Sequence, residues 1–130
     1  MSETHIDIGI VVNDIDKCLP FYRDTLGLKL LFDFDLGKSH MWQLAVGPCV
    51  VKLVTHNPTP AAANPPGGSG GGTGLRYWTM GVDDIDESIA ACEAAGAPIP
   101  LPVTTLMPGI RLAMIEDPEG NVVEFLETKR

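Results

Sequence analysis

The pentapeptide Val12-Asn13-Asp14-Ile15-Asp16 returns 70 positions later as Val82-Asp83-Asp84-Ile85-Asp86. Each copy follows a β-like stretch and precedes a helical one. The helical stretches end at Gly27 and Gly96, a shift of 69, so the repeat keeps its register over a whole supersecondary unit. A unit written twice is expected to fold the same way twice, which constrains this chain more than any composition does.

In the first copy, His5-Ile6-Asp7-Ile8-Gly9-Ile10-Val11-Val12 is rich in β-branched residues and roughly alternating, as a strand requires. Asn13 or Asp14 can accept a backbone N–H bond and open a helix. That helix runs through 17–26, with Leu19, Tyr22 and Leu26 near helical spacing. Pro20 lies inside it and is expected to kink or loosen it. Gly27 supplies a left-handed stop. Three strand-like stretches follow at 28–35, 40–46 and 49–55. In the second copy, 75–82 reads as a strand and Asp84 caps a helix. The inner face of that helix is Ile85, Ile89 and Cys92, and Gly96 ends it. Strands follow at 97–103, 110–116 and 121–127. The prolines of the first of these predict an edge strand. Asp117-Pro118-Glu119-Gly120-Asn121 is turn chemistry. The fold class is α+β, with two βαβββ modules at about 4–56 and 75–128 forming a single domain.

Between them, residues 57–74 are rich in Gly, Pro and Ala, with one Ser, and show no core-facing periodicity. They predict a mobile linker or flap. No GK[ST] follows the glycines, which excludes a phosphate-binding P-loop.

Composition narrows the function classes. The 130 residues carry a net charge of −8 with no Lys/Arg cluster, which disfavours nucleic acid and anionic membrane as partners. No apolar run approaches the ~20 residues of a membrane span. The amino-terminal stretch lacks the basic and apolar regions of a secretory signal, so the cytoplasm is expected. Cys18, Cys49 and Cys92 are odd in number and widely spaced, which fits small buried apolar residues better than a disulfide or zinc framework.

The stretches VVNDIDKCLPFYRDTLGLKLL, GVDDIDESIAACEAAGA and EDPEGNVVEFLE resemble the vicinal oxygen chelate superfamily of glyoxalases, bleomycin-resistance proteins and dioxygenases. The resemblance covers essentially the whole chain outside the linker. It implies curved mixed sheets around a central cavity, a small-molecule ligand or substrate, and a homodimer. It also implies a divalent metal held by one residue from the first and one from the last strand of each module, usually His, Glu or Gln, His and Glu. The matching positions here are Asp7, Lys52, Tyr77 and Glu124. Only Glu124 keeps the family's donor. An ammonium repels a cation, and a phenol must ionise to ligate, so no metal cofactor is expected. If a metal is present, its ligands are Glu124, Asp7 and His5, because His5 shares Asp7's strand face at a period of two.

Asp7, Lys52, Tyr77 and Glu124 are the candidate catalytic residues, with Lys52 set against the two carboxylates. His5, His40, Trp42 and Thr79 are candidate ligand-binding residues. Strand alternation puts Thr79 on Tyr77's face and aligns His40, Trp42 and Leu44 as an aromatic wall. Such a pocket suits a small organic molecule, aromatic ones included, held either in sequestration or for metal-free acid–base chemistry. The alternative is a metal-dependent glyoxalase-like lyase or an extradiol-type dioxygenase.

Overall fold

The computed structural model describes residues 4–129. The chain divides into two units, Met1–Ala63 and Asn64–Arg130. Each contains a four-stranded mixed sheet with one helix against it, which is the expected βαβββ plan.

In the first unit, β1 (Asp7–Val11) leads to α1 (Ile15–Pro20), a π turn (Phe21–Thr25), β2 (Lys29–Asp35), β3 (Ser39–Val46) and β4 (Cys49–His56). The sheet order is β1-β4-β3-β2, with β1 parallel to β4 and the other pairs antiparallel. Asp14 caps α1 by accepting from Lys17 N at 3.2 Å. The apolar spacing predicts a helix that continues to residue 26. Instead the α-helical part stops at Pro20, which cannot donate a backbone hydrogen bond, and the next turn widens so that Leu26 N reaches Phe21 O. Gly27 then takes φ +74°, the left-handed stop its position predicts.

In the second unit, β5 (Tyr77–Gly81), α2 (Ile85–Ala94), β6 (Leu101–Met107), β7 (Ile110–Glu116) and β8 (Val122–Thr128) repeat the plan in the order β5-β8-β7-β6. Asp84 caps α2 through Glu87 N at 3.1 Å, and Gly96 takes φ +75°. Ile85, Ile89 and Cys92 are buried, as their spacing predicts. β6 is an edge strand, but it begins at Leu101, four residues later than expected. Ala97–Pro100 form a connection whose Pro98 carbonyl accepts from Glu116 N.

Each sheet has two unlike faces, and the register sorts them. In the first unit, Leu44, Val51 and Leu53 are fully buried with Val12, Cys18 and Tyr22 from the helical side. In the second, Ala113, Ile115, Val123 and Phe125 are buried with Ile85 and Cys92. Burying these aliphatic and aromatic side chains supplies the main stabilisation of each unit, at about 1.5–3 kcal/mol per large side chain.

One ionic link fastens α2 to its sheet. Glu127 is 1% exposed and accepts from Ile85 N at 2.9 Å and from Arg111 at 2.9 and 3.1 Å. Arg111 also reaches Asp86 at 3.0 Å. The Ile85 N–H, followed by the Arg111 guanidinium, holds the Glu127 carboxyl below its usual value, although burial opposes this. The second half of the stretch between the modules also belongs to this unit. It contains a single 3₁₀ turn, Gly68–Gly70, and is gripped by Arg76.

Candidate functional site

The faces turned away from the helices carry the residues at the family's ligand positions. On β1 and β4, Asp7 is paired in register with Val50 and Gly9 with Lys52. Side chains alternate along a strand, so Asp7 and Lys52 share the open face, while Ile8, Val51 and Leu53 turn to the core. Lys52 Nζ lies 3.8 Å from Asp7 Oδ2, with the two side chains 33% and 27% exposed. Asp7 Oδ1 also accepts from Val50 N at 3.1 Å, which fixes the carboxylate across the parallel pair. His5 Nε2 stands 3.6 Å from the same oxygen, with its side chain half exposed.

In the second unit, Tyr77 pairs with Val122 and Thr79 with Glu124. Tyr77, Thr79, Val122 and Glu124 therefore share one face, and Thr79 Oγ1 donates to Glu124 Oε1 at 2.8 Å. Met114 lies beside Glu124 on the other side. This face thus combines a phenol, a hydroxyl and a carboxylate with apolar neighbours. That composition can hold a small organic molecule by its polar edge.

The aromatic wall expected on β3 is on the wrong side. His40 pairs with Thr55, Trp42 with Leu53 and Leu44 with Val51, so His40 and Trp42 point to the face opposite Lys52. They stack on each other at 4.0 Å, and His40 Nε2 meets Asp33 Oδ2 at 2.6 Å. They must be withdrawn from the site that contains Lys52. Gln43, paired with Lys52, and Met41, paired with Val54, take their place. Their face follows from the antiparallel register, which sets Trp42 and Leu44 beside the core residues Leu53 and Val51.

At the positions matched above to the family's metal ligands, two of the four side chains, Lys52 and Tyr77, are not the usual donors. The first unit offers an ammonium beside a carboxylate, and the second a phenol beside a carboxylate already bonded to a hydroxyl. Divalent ions prefer imidazole and carboxylate donors, and His5, 3.6 Å from Asp7, is the one imidazole near these positions; among the described residues no group of three or more His, Cys, Asp or Glu is placed to hold a metal.

A model of the Glyoxalase/Bleomycin resistance protein/Dioxygenase superfamily matches residues 4–125. The chain belongs to this superfamily. Lactoylglutathione lyase of Haemophilus influenzae is 29% identical over 125 residues, covering 91% of this chain and 87% of that protein. The glyoxalase family protein of Bacillus cereus shares the fold with a TM-score of 0.83 at 19% identity, covering 100% of this chain and 99% of that one. The glyoxalase I of Leishmania major, described as trypanothione-dependent, is 26% identical with a TM-score of 0.72, covering 97% and 87%. Superfamily members usually use a divalent metal.

Proposed function

We propose that this protein binds a small organic molecule without a catalytic metal, each unit offering its own open sheet face to it, with Asp7 and Lys52 on the first and Tyr77, Thr79 and Glu124 on the second. The observation that supports this most is the Lys52–Asp7 pair, 3.8 Å apart, at two positions where relatives place metal donors. A fixed positive charge beside a hydrogen-bonded carboxylate can recognise a polar ligand group that a metal would otherwise polarise. Glu124, already oriented by Thr79, can accept or deliver a proton, and Tyr77 can donate a hydrogen bond to a ligand oxygen. The ligand is retained unchanged, or altered only by proton transfer. No helix among the described residues is long and apolar enough to cross a membrane, and nothing basic recommends nucleic acid as a partner.

The relatives named lactoylglutathione lyase, at 28–29% identity, favour a second reading in which the chain acts as a glyoxalase-type lyase. It would then have to recruit a metal, for which the available donors are His5 and Asp7 in the first unit and Glu124 in the second. One experiment separates the two. Thermal unfolding is followed with a panel of small aromatic and polar organic molecules, with and without a strong chelator. Stabilisation by a panel member that survives the chelator, and is lost in Lys52→Met, supports metal-free binding. Stabilisation that appears only with added zinc or nickel, together with lyase activity on the glutathione–methylglyoxal adduct, supports the rival.

A further inference from the structure

Arg76 precedes β5 and directs its guanidinium at the glycine-rich segment. Its Nε donates to Gly68 O at 2.8 Å, Nη1 to Asn64 Oδ1 at 2.9 Å, and Nη2 to Pro65 O at 2.6 Å and Pro66 O at 3.4 Å. No carboxylate pairs with it among the described residues, so this side chain is committed to loop oxygens. Asn64 passes the connection on by donating to Asn121 Oδ1 at 3.3 Å, and Asn121 donates to the buried Asp117 at 2.9 Å. The backbone leaves no room for a side chain at Gly71. A Cβ on Gly71 would overlap the Pro66 carbonyl and stand 2.9 Å from Arg76 Nη2, while Gly67 takes φ +97°.

This loop lies on the candidate site's own face of the second sheet. A Cβ on Gly68 would lie 3.5 Å from Val122 Cγ2. Val122 is only 5% exposed, whereas Tyr77, its partner in register on the same face, is 45% exposed. Glu124 follows Val122 by two residues, about 7 Å along the strand.

We propose that residues 64–71 form a strap, seated by Arg76, that closes the Val122 end of the ligand-bearing face and sets how far a ligand can extend beyond Tyr77 and Glu124. Arg76 is a positioning residue: it touches no ligand and acts through the strap. The assignment of that face to a ligand rests on the proposed function, but the strap itself can be tested without any ligand. Lysine cannot replace Arg76 fully, because a single ammonium cannot reach four oxygens spread along the loop.

The test is thiol trapping with a disulfide reagent, using Val122→Cys and, as a control further along the same face, Leu126→Cys. Rates are corrected for the chain's own cysteines. With Arg76 present, the thiol introduced by Val122→Cys should react slowly. Adding Arg76→Met should speed it at least tenfold, Arg76→Lys should give an intermediate rate, and the Leu126→Cys rate should not change. An unchanged Val122→Cys rate in the Arg76→Met background, or an equal acceleration of the Leu126→Cys thiol, overturns the proposal. If Val122→Cys fails to fold, Gly71→Ala is read instead by hydrogen exchange. Faster exchange of the residue-71 amide, which bonds Gly68 O in the parent, supports the strap, and unchanged exchange overturns it. A strap that behaves as described on a face that binds nothing would sink the proposed function alone.

Discussion

Lys52 and Asp7 lie on adjacent parallel strands, and Lys52 stands two residues beyond Asp7's register partner Val50, an offset that keeps both on one face and brings Nζ to within 3.8 Å of the carboxylate. The same register sends Val51 and Leu53 to the opposite face, so a single strand carries both the candidate site residue Lys52 and the core.

Substitutions on the two faces of the first sheet should therefore separate stability from binding. Lys52→Met and Gln43→Ala should each change unfolding free energy by less than about 1 kcal/mol, because partly exposed ion pairs and surface groups contribute little. Leu44→Ala, which empties a fully buried position, should cost about 2–5 kcal/mol. Urea denaturation of the three variants checks this. A Lys52→Met cost equal to that of Leu44→Ala would mean the ion pair is structural.

Glu127 should govern acid sensitivity in the second unit. Its folded carboxyl is held below the usual value of 4.5, chiefly by the Ile85 N–H. A depressed carboxyl contributes stability in full above the unfolded value, and this is lost as pH falls through the folded one. Glu127→Gln should lower stability at pH 7 and flatten its decline below pH 4.5. Denaturation midpoints at pH 7 and pH 3 measure both effects. A parallel loss at the two pH values would contradict the role of the charge.

The Cys92 thiol is pushed up to about 11 by burial on the inner side of α2. At pH 8 it should resist alkylation until the chain unfolds, while the half-buried Cys49 reacts first. Peptide mapping after brief iodoacetamide treatment reads the order of modification. Early labelling of Cys92 would indicate that α2 opens readily.

The module plan was legible because its signals are local. The Val-x-Asp-Ile-Asp repeat, the stops at Gly27 and Gly96 and Pro102 on the edge strand β6 each depend on a few adjacent residues, and the structure uses them as expected. What escaped depends on pairing. His40 and Trp42 looked like a ligand wall because aromatic residues draw attention, yet their face is decided by Val51 and Leu53 on the neighbouring strand. Glu127 reads as one more charged residue near the chain's end, and only the packing of α2 brings the Ile85 N–H to it. Arg76 gave no sign of its four bonds, since its acceptors are mostly backbone carbonyls in a segment whose composition suggests mobility.

Elemental analysis of the purified protein tests the central claim, that an ion pair stands where relatives keep a metal. After purification without added metal or chelator, the account predicts less than about a tenth of an equivalent of zinc, nickel, iron or manganese per chain, and no loss of thermal stability on adding chelator. About one equivalent of a single transition metal per chain, removed by chelator with a clear fall in melting temperature, would contradict it.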